Sequence, residues 1–351
     1  MGSSGVHPFV LVALACGLDR LVGDPPRLLH PVQVMGWAIS RLRHLAETWG
    51  GDTPWKLRLA GGLITALLVG GSTAAGWALE QAAFSSRGVW HPLALAVVVI
   101  ALASALAGKS LEQGVERVLN HLADRPAARR HLGWIVGRDT ADLETPEILR
   151  ALAETASENG VDGLFAPLFW MLVGALLWNF NPSGPGPLGL AWGFKAASTL
   201  DSMLGYRRGR LQWLGTAGAR LDDLLVWLPC RLVALSLPLA AGQGPCQCWP
   251  SLQTACQEGA ADPSPNAGVS QAAYANTAQV QLGGCNSYGG QQTHKPILGA
   301  GFPAPHAKEV DLLLQLNRRL EAIWLGVSGL AVVGALSVPY ITKTLSSLPS
   351  P

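Results

Sequence analysis

Charge is what this sequence has least of. Asp, Glu, Lys and Arg make up 14% of its 351 residues, where soluble domains carry about 25%, and hydrophobic residues make up 49%. So little charge excludes an ordinary soluble domain and implies an integral membrane protein. A dense basic patch is also lacking and the formal net charge is only +2, so no nucleic-acid partner is expected. Met1–Gly5 carries no basic residue, so no cleavable signal is expected. No histidine stands near the clustered Cys246, Cys248 and Cys256, and their Cys-x-Cys spacing suits zinc poorly. Cys16 and Cys230 fall in apolar runs, where a thiol behaves as a small hydrophobe. No internal repeat is visible.

What is there is a series of apolar runs, Val6–Val22, Leu59–Leu79, Leu93–Ala107, Leu164–Phe180, Leu224–Ala241 and Ala322–Ile341, with a semi-polar one at Leu188–Leu204. They predict an all-α, polytopic integral membrane protein with about five to seven transmembrane or re-entrant helices. Basic residues gather between the runs, at Arg27–Arg58, Lys109–Arg138 and Arg207–Arg220. By the positive-inside rule these polar loops face the cytoplasm, with the N-terminus outside and the protein in the cell (inner) membrane. One segment must then be re-entrant if Gly242–Arg319 is also cytoplasmic. Residues 242–265, rich in Gly, Pro, Gln and Cys, read as a variable loop within a single membrane-embedded domain, 1–351.

The densest run of carboxylates is Gly137–Gly163. Thr145-Pro146 predicts a helix start with a hydroxyl N-cap, and Gly160 a helix stop. Between them Glu147, Glu154 and Glu158 form one stripe. The stripe reads either as a solvated face or as an acidic site at the membrane surface.

Other motifs leave similar choices. Asp24 and His30 in Leu18–Gly36 place a carboxylate and an imidazole at a membrane face, or simply cap a helix end. Ala103–Ser110 (ASALAGKS) is one residue from a phosphate loop, but an apolar helix precedes Gly108, so Lys109 reads as a snorkelling interface lysine. Lys195, Ser198, Asp201 and Gly205 make a polar face through an apolar helix, a costly arrangement that points to a cavity. Asp222 and Asp223 suit a magnesium ion, or an interfacial ion pair with Arg220. The glycines of Val280–Gly290 let backbone N–H groups converge on an anion, with Asn286, Ser287 and Tyr288 as further donors.

The blocks DR-x2-GDP-x4-HPV-x2-MG, GRDT, EN-x-VDG followed by Pro-Leu-Phe, TLDSM-x-GY, ARLDD, PNAG and LGG-x-NSYGG occur in this order. Together, over roughly Leu14–Leu320, they resemble the adenosylcobinamide-phosphate synthase family of cobalamin biosynthesis (the CbiB/CobD type). The resemblance implies a polytopic membrane enzyme that joins adenosylcobyric acid to aminopropanol phosphate, or a related amino-alcohol, by an amide bond. ATP and Mg2+ serve as co-substrate and ion, with no tightly bound cofactor. It marks Asp139, Glu158, Asp162 and Asp201 as catalytic candidates and Asp222 and Asp223 as metal ligands. For substrate and phosphate it marks Asp24, His30, Arg138, Asn159, Lys195, Tyr206, Arg220, Asn266, Gly283, Gly284, Asn286, Ser287, Tyr288 and Gly289. Glu147 and Glu154 return to the solvated reading. Expected partners are the corrinoid, the amino-alcohol phosphate, membrane lipid and later membrane enzymes of the pathway, with the active site facing the cytoplasm. Ser198 stands where the family pattern has Asn, and Cys285 where it has Pro. The competing reading is a non-catalytic transporter or corrinoid-handling protein, which would share intramembrane charge.

Overall fold

The computed structural model describes residues 6–23 and 30–346, and Asp24 lies outside the described residues. Six helices come first: α1 (Pro8–Val22), α2 (Pro31–Gly50), α3 (Pro54–Ser85), α4 (Trp90–Ala103), α5 (Gly108–Leu119) and α6 (Arg125–Leu132). α7 (Thr145–Gly160) runs through a π-helical turn, Val161–Phe165, into α8 (Ala166–Trp178). α9 (Pro187–Leu204), the short α10 (Leu211–Leu214) and α11 (Thr216–Ala240) follow. α12 (Cys248–Gly259) and α13 (Ala267–Ala278) precede an antiparallel hairpin of β1 (Leu282–Tyr288) and β2 (Gln291–Leu298). α14 (Ala307–Ser346) is the last element.

The expected all-α membrane architecture holds, with the hairpin as its small β addition. Among the described residues three helices are long and apolar enough to cross a membrane: α3, α7 with α8 as one 34-residue rod, and α11. α4 and α5, bent by 44° at their break, would make a fourth. The run Leu188–Leu204 is semi-polar for a structural reason. α9 is the internal helix, packed by α2, α3, α8 and α11. Small residues permit this. A Cβ on Gly76 of α3 would come within 2.9 Å of Gly189 of α9, the close backbone approach that membrane helices use in place of a hydrophobic driving force.

Buried carboxylates tie helix ends together. Glu80 of α3 is 1% exposed and accepts the amides of Gly186, Leu188 and Gly189 at 3.0, 2.6 and 3.4 Å. It thereby supplies the first turn of α9 with the acceptors a helix N-terminus lacks. Asp19 of α1 does the same for α5, accepting Lys109 N at 3.2 Å. Lys109 also has an acidic partner. Its ammonium lies 3.4 Å from Glu112, inside a network in which Arg20 also pairs with Glu321 and Arg318 reaches Glu112 at 2.9 Å.

Three points differ from the sequence reading. Residues 242–265 contain a packed helix, α12, whose Gly259 meets the Gly268 backbone, a Cβ there falling 2.5 Å from it. Gly160 is the last residue of α7 but does not stop the rod, which continues through the π-turn into α8. A Cβ on it would meet the Asn317 side chain at 2.8 Å, so it is glycine for contact with α14 rather than for termination. The N-cap is Glu144 rather than Thr145, with Glu147 Oε2 accepting Glu144 N at 2.9 Å.

Candidate active site at the crossing of α7, α9 and α11

The π-turn is where the site begins. Such turns insert an extra residue into a helix and recur at functional positions. Here the turn carries Asp162, one helical turn beyond Glu158, and packs on α11. The Gly163 carbonyl accepts Ala107 N at 2.8 Å, which seats the α4–α5 break against the turn. α9 contributes Asp201, and α11 contributes Asp222 and Asp223. These five carboxylates line one cavity of about 330 Å³, with Arg207, Ser264 and Asn266 on its remaining walls. A Cβ on Gly205 would strike the Asp201 carboxylate, so this wall requires glycine.

Five carboxylates in one chamber repel one another strongly, and the chamber holds partial compensation. Asp162 and Asp222 both feel the Lys195 ammonium. Glu158 accepts Gln271 Nε2 at 2.7 Å. Lys295, from β2, lies 3.4 Å from Asp262 and feels Glu158. Burial pulls the Lys295 pKa down, but Glu158 and Asp262 outweigh it and the net shift is upward, so the side chain stays charged. Among the five carboxylates one oxygen is left over: Asp222 Oδ1 is buried with no hydrogen-bond partner among the described residues. An acceptor of this kind calls for a proton or a cation. The hard-oxygen donor set fits magnesium, which binds through one or two carboxylates together with water and phosphate oxygens. Among the described residues no three His, Cys, Asp or Glu side chains stand ready to hold an ion unaided.

A second cavity of about 330 Å³ adjoins the first and is basic. Arg58, Arg207 and Arg220 line it beside Tyr206, Gln212 and Thr216, and it shares Gly205, Arg207, Ala219 and Asp223 with the acidic chamber. Arg58 is held over the Trp213 ring at 4.4 Å.

Most of the other expected site residues lie in two structural groups. At the hairpin turn, Asp139 accepts Gly290 N at 2.8 Å, Ser287 Oγ at 2.6 Å and Gly289 N at 3.0 Å. These donors hold its carboxyl below the usual range. The converging amides expected to meet an anion thus meet one supplied by the chain itself. At the base of β1, Glu154 is 1% exposed, accepts Gly283 N at 2.9 Å and pairs with Arg138, which donates to Asn286 Oδ1 at 2.8 Å. Arg150 binds the Gly283 carbonyl, the Cys285 carbonyl and Asn286 Oδ1, and Gly284 lies against its guanidinium. Glu154 is therefore a buried tie rather than a solvated residue. Tyr288 and Asn159 are exposed. His30 caps α2, its Nδ1 accepting Val32 N at 3.3 Å. Asn266 braces the roof of the acidic chamber, donating to the Asp223 carbonyl at 2.8 Å and accepting from Arg231 at 2.6 Å.

Sequence reasoning missed Arg58, Lys295 and Arg150. Arg58 was one of several loop cations, and nothing local separates a strand lysine that turns inward from one that does not. Arg150, in an acidic helix, carried no motif.

The profile of the CobD/Cbib protein family matches residues 12–317. A protein of Synechocystis sp. named cobalamin biosynthesis protein CobD is 38% identical over 346 residues, covering 94% of each chain. One of Salmonella arizonae named cobalamin biosynthesis protein CbiB is 36% identical over 91% of this chain and 93% of its own. A CobD-named protein of Chromobacterium violaceum is 35% identical over 93% of this chain and 98% of its own. No solved structure matches. The chain belongs to the CobD/Cbib family.

Proposed function

We propose that this protein is a membrane enzyme of cobalamin biosynthesis that forms adenosylcobinamide phosphate, joining aminopropanol phosphate to adenosylcobyric acid through an ATP-dependent amide bond. The observation that carries the reading is the carboxylate chamber at the π-turn, built from the EN-x-VDG, TLDSM and ARLDD blocks and walled on one side by arginines. Amide formation from an unactivated acid consumes ATP, and an acyl phosphate on the corrinoid propionate is the simplest activated form. The amine then attacks the acyl carbon, phosphate leaves, and the nitrogen loses a proton.

The residues divide this work. Glu158 and Asp162 face the chamber as general bases for the ammonium, a contribution of about 10²–10⁴-fold. Asp201 adds the negative charge that makes such an ammonium bind. Asp222 and Asp223 would hold magnesium, which supplies charge neutralisation at phosphate oxygens. Lys195 offsets the carboxylates and offers a donor to an acyl-phosphate oxygen. Asn266 and Lys295 are positioning residues. ATP and the corrinoid enter from the cytoplasmic side of the inner membrane, and lipid surrounds the spans. The test is purified protein in detergent with adenosylcobyric acid, aminopropanol phosphate, ATP and magnesium. Amidated corrinoid is expected, and its absence with folded protein refutes the reading.

A further inference from the structure

The first two apolar runs leave a polar stretch between them, and α2 stands in it with three distinct faces. Met35, Ile39, Ala46 and Gly50 are buried, where α2 packs on α3 and α9. Ser40, Arg43, His44 and Glu47 form a polar edge along an open groove. The third face is apolar and uncovered. Val34, Trp37, Leu45 and Trp49 fall within an arc of about 120° on a regular helix, and Trp37 and Leu45 are each 63% exposed. An apolar face beside a charged edge is the pattern of helices that lie in the plane of a bilayer surface.

Two observations set that face against lipid rather than against a second copy. α3, a helix long and apolar enough to cross a membrane, presents an exposed row of its own, Leu59, Leu63 and Leu67. Trp55 heads this row, and its ring meets Trp49 of α2 edge-on at 6.4 Å, so the apolar face of α2 continues the lipid-facing row of α3. The helical rise also puts the exposed Trp55 and Trp77 about 33 Å apart along α3, close to the ~30 Å hydrocarbon core of a bilayer. Tryptophans at that separation mark the two membrane surfaces, and α2 sits at the level of one of them.

That level also carries cations. Arg41, in the middle of the apolar arc, lies over the Trp37 ring at 5.5 Å, and Lys56 lies over Trp49 and Trp55 at 5.5 and 6.0 Å. Among the described residues neither donates a hydrogen bond or pairs with a carboxylate. Cations held over aromatic rings at a membrane surface complement the phosphates of anionic lipid. We propose that α2 and the first turn of α3 form an interfacial seat for anionic phospholipid. Val34, Trp37, Leu45 and Trp49 enter the upper acyl region, and Arg41 and Lys56 take the headgroup phosphates. On its other side α2 shares a buried cluster, through Ile39 and Ala46, with Leu200 and Leu204 of α9, so the seat braces the helix that carries Asp201. The inference does not depend on the reaction proposed above.

Two measurements on the full chain test this. In the first, the photo-cross-linker benzoylphenylalanine replaces Leu45, Ser40 on the polar edge, or Leu63 of α3 as the lipid-facing reference, and each protein is irradiated in nanodiscs. Leu45 should form phospholipid adducts as Leu63 does, and Ser40 few. Cross-links from position 45 to a second copy, or no lipid adduct there while position 63 reacts, overturn the proposal. In the second, native mass spectrometry of the protein in detergent compares retention of phosphatidylglycerol and phosphatidylcholine. Phosphatidylglycerol should be held more tightly. Arg41→Gln and Lys56→Gln should each weaken it by about fivefold, whereas Arg117→Gln, at an exposed arginine of α5, should change nothing. Unaltered melting of the three variants shows that folding is intact. Equal retention of the two lipids, or retention indifferent to Arg41 and Lys56, overturns the proposal. Displacement of phosphatidylglycerol by glycerol phosphate at equal concentration also overturns it, because the cations then serve a soluble phosphate.

Discussion

Glu154 Oε1 accepts the amide of Gly283 at 2.9 Å, a bond across 129 residues that fastens the β-hairpin to α7. The same carboxylate pairs with Arg138, so one side chain joins the GRDT segment, the acidic helix and the glycine-rich turn. Both partners are largely buried. Truncating Glu154 to Ala strands the Arg138 charge and the Gly283 amide. Breaking such a pair from one side costs about 3–5 kcal/mol. Glu154→Ala should therefore show a large fall in melting temperature in detergent, and Glu147→Ala, at an exposed cap, a small one. Equal effects would contradict the buried role.

Gly283 offers a second handle on the same joint. Its φ is +83°, and an added Cβ would run into the Pro296 carbonyl across the hairpin. A non-glycine residue in such a conformation costs about 1–3 kcal/mol, before the clash with Pro296 is counted. Gly283→Ala should destabilise the protein more than Gly290→Ala, which also has positive φ but open space around it. A smaller loss at Gly283 would mean that the hairpin register is not fixed there.

Asp139 gives the hairpin tip a pH dependence of known sign. The Gly290 amide, the Ser287 hydroxyl and the Gly289 amide favour its charged form, so its folded pKa lies below the unfolded value. The contribution is present above about pH 4, the ordinary Asp range, and is lost as pH falls through the depressed folded value. Hydrogen exchange at Gly289 and Gly290 should stay slow from neutral pH down to about 4 and quicken below it. Asp139→Ala should exchange fast throughout. Protection that fades at higher pH would contradict this bonding.

The chamber carboxylates should behave oppositely. Asp162→Asn and Asp223→Asn remove charge from a site where like charges crowd, so melting should hold or rise while turnover falls by about 10²-fold or more. Full activity in either variant would make that residue a structural ion partner.

The sequence and the fold agree where local chemistry decides the outcome, and part where tertiary contacts do. Thr145-Pro146 opens α7 because a proline in the first turn needs no neighbours to act. The grouping of Glu158, Asp162, Asp201, Asp222 and Asp223 was legible only as a set of family blocks, since they stand on three separate helices. The stripe of Glu147, Glu154 and Glu158 misled. A regular helix carries all three on one side, yet the first caps the helix, the second meets the hairpin and the third faces the chamber. Gly160 and the Gly289-Gly290 pair misled in the same way. Glycine marks close approach as well as termination, and converging amides find an internal carboxylate as readily as a ligand. Arg58 became visible only once α3 and α10 were placed side by side.

Orientation in the membrane has its own test. Cysteine substitutions at Ser264, in the roof of the acidic chamber, and at Ser287, beside the hairpin turn, should react with an impermeant reagent only from the cytoplasmic side. Labelling from the periplasmic side would contradict a site that uses cytoplasmic ATP.

The most direct measurement is the reaction itself. Folded, purified protein supplied with adenosylcobyric acid, aminopropanol phosphate, ATP and magnesium should yield adenosylcobinamide phosphate with one ATP consumed per amide formed. It should do so far more slowly with Asp162→Asn. ATP consumption without amidated corrinoid, or no reaction at all from folded protein, would contradict the assignment.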